Sequence, residues 1–158
     1  MTLRYVYGQD RNVAHFVAQL IPHVDPRGFP ANATAIGIVD DNNEPVGGIV
    51  FFNHIPPAGT IEIAIAARPG TRWLTRETMQ HMASHTLGTH GCQMVIMRVQ
   101  ADDLLVLRQL KMFGFSMTRI ERLYGRDMDG MFCTYTAEQW AASRFNRPLE
   151  AEIDRKVA

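Results

Sequence analysis

Glu62 stands alone among apolar residues in the run Thr60–Ala67, TIEIAIAA. A carboxylate in such a run is costly unless its surroundings are polar or wet, so it faces either a cavity or bulk solvent. At a cavity it can take a proton as a general base, directly or through a water. His54, a little upstream, is a second proton acceptor, unless it is simply an exposed histidine. Downstream come Arg68, Arg72 and Arg76, in the loop and first turn ahead of an expected helix. Backbone N–H groups at a helix N-terminus favour an anion, and arginines there reinforce a preference for phosphate. The other reading is a turn carrying three solvated arginines. His81, His85, His90 and Cys92 bring metal-ligating types together. They lack the glutamate of a His-Glu-x-x-His site, and the expected helix ends between the two pairs, so no metal is expected.

The elements that must position these groups follow from periodicity and turn chemistry. Ile61, Ile63 and Ile65 alternate with Glu62, Ala64 and Ala66, a strand pattern with Glu62 opposite the isoleucines. Arg68-Pro69-Gly70-Thr71 ends that strand. Thr75 can cap a helix with Met79, Met82, Ala83, Thr86 and Leu87 along one side, stopped by Gly88 and Gly91. A strand over Gln93–Gln100, a helix over Asp103–Phe113 and a strand over Ser116–Tyr124 come next. After a turn through Gly130, Met131–Tyr135 forms the last strand, and Thr136 can cap a final helix. Upstream, Leu3–Tyr7 reads as a strand and Asp10 as the cap of a helix with Val13, Phe16, Val17, Leu20 and Ile21 on one face. An irregular loop through Pro22, Pro26, Gly28 and Pro30 follows, of a length that is often functional. Thr34–Asp40 and Val46–Asn53 form an antiparallel hairpin, in which Gly47-Gly48 marks a bulge or a close approach. The fold class is α/β (α+β): a mixed, mostly antiparallel sheet, first a meander and then strands joined by helical crossovers.

Composition bounds the function. A chain of 158 residues with 46% hydrophobic content makes one domain, over residues 1–146, followed by a polar tail, 147–158. Zero net charge supplies no field for nucleic acid or for a membrane surface. The apolar runs are strand-length, so no membrane span is expected. The start of the chain lacks the basic and apolar regions of a signal peptide. Cys92 and Cys133 read as small buried hydrophobes rather than a disulfide, which suits a cytoplasmic protein. Only Lys111 and Lys156 are lysines, so the positive charge is almost all arginine.

Strand, basic loop, helix, strand, helix ending in Gly114-Phe115, strand: this order resembles the GNAT superfamily of acyl-CoA N-acyltransferases over roughly Thr34 to Thr136. The best-matching pieces are Ala67-Arg68-Pro69-Gly70-Thr71-Arg72 and the spacing from Asp103 to Gly114-Phe115. Arg72-Trp73-Leu74-Thr75-Arg76-Glu77 looks like the variant loop of GNAT proteins found in some phage and proteobacterial genomes. The resemblance implies a sheet with helices on both faces and acetyl-CoA as cosubstrate. It places the pantetheine and thioester carbonyl on the backbone of Ile65, Ala66 and Ala67. It places the pyrophosphate on Arg72 and the main-chain N–H groups of Trp73, Leu74, Thr75 and Arg76. Asp103 stands where an asparagine usually opens the later helix. The family loop runs Arg or Gln, two residues, Gly, one residue, Gly or Ala; here Thr75 and Glu77 occupy the small positions.

For catalysis the resemblance implies Glu62 as base, with His54 second. Counting back from Arg72 the family position falls at Ile61, and a strand bulge would reconcile the two. Leu110 stands where a tyrosine acid is often found, which leaves Ser116 and Tyr124 as hydroxyls to protonate the leaving thiolate. Arg98 and Arg108 either meet the cofactor's distal phosphate or lie on the surface. The first helix and its following loop border the acceptor, with His23, Asp25, Arg27 and Phe29 as candidates. The implied activity is acetyl transfer to a primary amine, on a small molecule or a protein, by direct attack in a ternary complex. The alternative is a GNAT-fold binding or structural module without catalysis, of phage origin. Pairing of the last strands would make a natural homodimer.

Overall fold

The computed structural model describes residues 2–22, 24, 25 and 27–146. His23 and the expected tail at 147–158 lie outside the described residues. In chain order the elements are β1 (Arg4–Val6), α1 (Asp10–Leu20), β2 (Thr34–Val39), β3 (Pro45–Ile55), β4 (Thr60–Ala67), α2 (Arg76–Ala83), a π-helical turn (Ser84–Thr89), β5 (Met94–Gln100), α3 (Leu104–Met112), β6 (Ser116–Ile120), β7 (Gly130–Thr136) and α4 (Ala137–Ala142). The seven strands form one sheet in the order β1-β2-β3-β4-β5-β7-β6. Every neighbouring pair is antiparallel except β4 and β5, which are parallel because α2 carries the chain back across the sheet.

Period-2 alternation sends side chains to two differently covered faces. Ile36, Ile49, Phe51, Ile61, Ile63, Val95, Met97, Cys133 and Tyr135 point to one face and pack against Met79 and Met82 of α2 and Leu110 and Phe113 near α3. Both cysteines are buried and unpaired. On the other face Val17 of α1 packs against Ala35 and Val50. This helix sits very close to the sheet. A Cβ on Gly48 would lie 2.6 Å from Val13 Cγ1 and 2.9 Å from Val17 Cγ2. Both readings of Gly47-Gly48 hold: Gly48 lies against α1, and the pairing with β2 slips beside Gly47, where Val46 is the extra residue between Ile38↔Gly47 and Val39↔Pro45.

Several local expectations are corrected. Asp10 does not cap α1: it is the helix's first residue, and its carboxylate accepts from the Ala35 N–H at 2.9 Å, tying α1 to β2. Strand β3 runs on to Ile55, so His54 belongs to a strand rather than a loop. The segment after Ile120 is not strand. Arg122 takes a left-handed conformation (φ 62°), Asp129 accepts from its N–H at 3.0 Å, and the chain turns, carrying Tyr124 back over the sheet. The caps expected at Thr75 and Thr136 are present, accepting from the N–H groups of Thr78 and Gln139.

Candidate functional site

The site begins where β4 and β5 part. Their pairing runs from Thr60↔Met94 to Ile63↔Met97 and stops. Beyond that point β4 stays paired to β3 through Ala67, and β5 to β7 through Gln100. Two strands held by their outer neighbours while separating from each other open a wedge in the sheet. A cavity of about 410 Å³ fills it, lined by Ala64–Ala67 on one side, Met97–Gln100 on the other, and Asp103, Leu105, Val106 and Tyr124.

The wedge exposes backbone polar groups in a fixed pattern. The Arg68 N–H donates to Val46 O of β3 at 2.8 Å. In an antiparallel ladder the same side recurs at every second residue. The N–H and C=O of Ala66 therefore face β3, and those of Ile65 and Ala67 face the wedge. Of the three residues expected to present backbone, two do so. Across the wedge, the Gln100 side-chain Nε2 is buried with no hydrogen-bond partner among the described residues. A buried amide donor without an acceptor costs about 1–3 kcal/mol, so a ligand carbonyl in the wedge would stabilise it.

The basic loop differs from the expected phosphate cradle. Arg68, Pro69, Gly70, Thr71 and Trp73 line the wedge, whereas Arg72, Leu74, Thr75 and Arg76 do not. The Trp73 N–H donates to Thr71 O and the Thr75 N–H to Trp73 O, at 3.1 and 2.9 Å. Leu74 is buried in the core. The Thr75 hydroxyl accepts from the Thr78 N–H as a helix cap. The Arg76 Nε and one Nη are buried, directed inward. Among the described residues the N–H groups of Arg72 and Leu74 have no partner. The Arg68 guanidinium lies over the Phe16 ring of α1, 5.6 Å from its centroid. Asp103 caps α3, its carboxylate accepting from the Val106 N–H at 3.4 Å.

Glu62 lies at the narrow end of the wedge, on the face that α1 covers further along. Pairing of β4 with β3 is unbroken from Phe52↔Glu62 to Gly47↔Ala67. The bulge that would have moved the family position onto Glu62 is therefore absent from β4; Ile61 is 2% exposed in the opposite core. A bulge occurs instead in β3, between Phe52 and Ile55. There Asn53 takes a left-handed conformation (φ 49°), which asparagine tolerates, and its Nδ2 donates to Glu62 Oε1 at 3.1 Å. Arg98 Nε lies 3.2 Å from Glu62 Oε2 in an ion pair. Arg98 also lies 5.3 Å over the Phe132 ring centroid. The carboxylate is thus fixed at both oxygens, with its side chain 13% exposed.

A second cavity, of about 450 Å³, adjoins the wedge on this face. Its walls are the loop after α1 (Val24, Asp25, Phe29), Phe52 and Asn53, Glu62, and Leu123 and Tyr124. Ala64, Arg98 and Tyr124 line both cavities, so the two meet at the point where Glu62 stands. Burial raises the Tyr124 phenol above its usual range, opposed by nearby Arg98 and assisted by Glu62. Ser116, the other hydroxyl candidate, is far from this junction: it bonds to Gln139 on the sheet's outer edge strand. Arg27 closes on Asp25 at 2.9 Å in the loop after α1.

The histidines do not assemble as their spacing suggests. His81 stacks on Tyr5 and bonds the Tyr7 hydroxyl at 2.6 Å. The π-helical turn then brings residues five apart onto one face, and His85 and His90 meet with their Nε2 atoms 3.3 Å apart. Burial, followed by the charge of His90, holds His85 below the ordinary imidazole range. His54 packs edge-on against His90, at 5.1 Å between centroids. It shares a cavity with Glu62 but does not line the wedge. Among the described residues no group of three or more His, Cys, Asp or Glu side chains is placed to hold a metal ion. Arg108, on α3, is exposed and lines neither the wedge nor the adjoining cavity.

Sequence reasoning had no means to find Asn53 or Gln100. Asn53 reaches Glu62 only because of the β3 bulge, which leaves no local signal. Arg98 was legible as a charge on a strand, but its partner depends on the parallel register that sets Glu62 beside Ile96.

No protein-family model and no curated protein matches the chain. Solved structures match it over most of its length. A chimera of the Vibrio cholerae spermidine N-acetyltransferase SpeG and hSSAT aligns with a TM-score of 0.73 at 10% identity, covering 90% of this chain and 99% of that one. The Vibrio cholerae spermidine N-acetyltransferase in complex with CoA and spermine gives 0.69 at 10% identity, over 87% and 96% of the two chains. A putative acetyltransferase from Acinetobacter baylyi gives 0.67 at 16% identity, over 87% and 94%. Among the described residues no helix is long and apolar enough to cross a membrane. The chain has the GNAT fold: one mixed sheet, opened between its two parallel strands, with helices on both faces.

Proposed function

We propose that this protein is an acetyl-CoA-dependent N-acetyltransferase acting on a primary amine by direct attack in a ternary complex. One observation carries the reading: the wedge between β4 and β5 runs into a second cavity at the point where Glu62 is held and Tyr124 lines both spaces. A structural neighbour that binds CoA and spermine supports it.

The residues present fit the cosubstrate. The backbone of Ile65 and Ala67 offers a strand edge to the amides of pantetheine, and Gln100 Nε2 offers a donor to a carbonyl. When bound, acetyl-CoA supplies an acyl group activated as a thioester. Glu62, oriented by Asn53 and Arg98, takes the proton that the attacking amine must lose. Backbone N–H groups at the wedge polarise the carbonyl as the new C–N bond forms. As the C–S bond breaks, Tyr124 gives its proton to the sulfur; its raised pKa keeps that proton in place at neutral pH. One proton leaves the amine and one reaches the thiol, so the two side chains restore each other through solvent.

A second reading, a GNAT fold kept for binding without catalysis, is favoured by the basic loop. Two of its N–H groups are taken up internally, and Arg72 and Arg76 do not line the wedge. Calorimetry with acetyl-CoA separates the two. The enzyme reading expects saturable binding that weakens about tenfold in Gln100→Leu, on the scale of one charge-free hydrogen bond to a buried donor. No binding at millimolar cosubstrate would remove the enzyme reading and leave the binding module.

A further inference from the structure

The acceptor-side cavity carries two carboxylates, Asp25 and Glu62. Both are already matched. Asp25 is gripped by Arg27 through two bonds, Nε to Oδ1 at 3.0 Å and Nη2 to Oδ2 at 2.9 Å, and Arg27 holds it well below the usual carboxylate range, at about 2. Glu62 is matched by Arg98. A polycation entering this cavity therefore meets no uncommitted carboxylate among the described residues. Arg98 is in the opposite position. A guanidinium has five N–H donors, and its ion pair with Glu62 is made from the Nε side, at 3.2 Å. Its Nη groups make no other hydrogen bond among the described residues, its side chain is 47% exposed, and it lines both the wedge and the acceptor cavity.

A carboxylate beside a guanidinium is the mirror of a zwitterion. An amine with an adjacent carboxylate would set its nitrogen at Glu62 and its carboxylate on the Nη edge of Arg98, the geometry in which arginine binds carboxylates best. Ile21, Phe29, Phe52 and Leu123 form an apolar stretch of the wall that suits an apolar side chain. We propose that the acceptor is an amine bearing its own carboxylate, of the α-amino-acid type with an apolar side chain, and that Arg98 selects it. This rests on the proposed acetyl transfer.

The test measures CoA thiol release at fixed acetyl-CoA for matched pairs: L-phenylalanine against 2-phenylethylamine, L-leucine against isoamylamine, with the other common amino acids and spermidine alongside. Calorimetric binding of acetyl-CoA is recorded separately. The expected result is a preference of about tenfold or more in kcat/KM for the amino acid over its partner lacking the carboxylate. In Arg98→Gln that preference falls to near one, through a raised KM for the amino acid. A purely structural role for Arg98 would slow both members of a pair alike and leave the ratio unchanged, which overturns the proposal. Better turnover of spermidine or of the amines without carboxylate also overturns it, and leaves the acetyltransferase reading standing. So does acetyl-CoA binding with no amino acid consumed. Absence of acetyl-CoA binding overturns both.

Discussion

Glu62→Gln separates chemistry from folding at the centre of the site. Glutamine keeps the shape and an oxygen that can accept from Asn53 Nδ2, now at 3.1 Å from Glu62 Oε1, but it cannot take a proton. Loss of a positioned general base costs roughly 10²–10⁴ in rate, or about 3–5 kcal/mol in the barrier. The structural cost is far smaller. The pair with Arg98 is 3.2 Å long and its guanidinium side is 47% exposed, so solvent screens it and the guanidinium can return to water. Such a pair contributes about 0.5–1 kcal/mol, and for a chain of this size each kcal/mol moves Tm by about 2–4 °C. The assay is thiol release from acetyl-CoA with the best amine, beside a thermal melt. The expected outcome is a loss of about two to four decades in kcat/KM with Tm lowered by no more than a few degrees. Activity within about threefold of wild type would remove Glu62 from the mechanism. A Tm drop beyond about 10 °C would show that the ion pair holds the strands together, contrary to the reasoning from exposure.

Tyr124→Phe should lower kcat by about 10- to 100-fold with little change in KM, since in the proposed reaction the phenol acts on the departing sulfur. Because burial raises the Tyr124 pKa from 10.0, the wild-type activity should persist to about pH 10 and fall only above it. An alkaline limb near neutral pH, or one that survives unchanged in Tyr124→Phe, refutes that role. Cys133 tests the core instead. Burial pushes its thiol from 9.0 up to about 11, so the unfolded chain loses this proton first as pH rises. Its contribution is full below pH 9 and is lost between pH 9 and about 11, by roughly 2–3 kcal/mol. Melts of Cys133→Ala against wild type should show a shallower alkaline decline in the variant, and equal slopes would refute the assignment.

Much of the fold was legible in local pattern because local physics decides it. Alternating isoleucines made β4 a strand, Thr75 and Thr136 carried their caps, and Gly114-Phe115 ended α3 after its buried Leu110. Where a local signal had competing uses, the reading slipped. Asp10 has the chemistry of a cap, but the Ala35 N–H of β2 claimed its carboxylate. Residues 121 to 124 have strand-like alternation, but Asp129 accepts from the Arg122 N–H and the chain turns there.

The sequence by itself determined the element order and the alternation that puts Glu62 opposite the core, because each depends on neighbours a few residues apart. Only the tertiary structure decided the site. Arg98 meets Glu62 because β4 and β5 run parallel in one register, and Asn53 meets it because β3 bulges. Tyr124 reaches the same junction because a turn more than sixty residues from Glu62 folds back across the sheet. Those contacts join residues distant along the chain, and their geometry is set by strand pairing and sheet opening rather than by any residue's own preference.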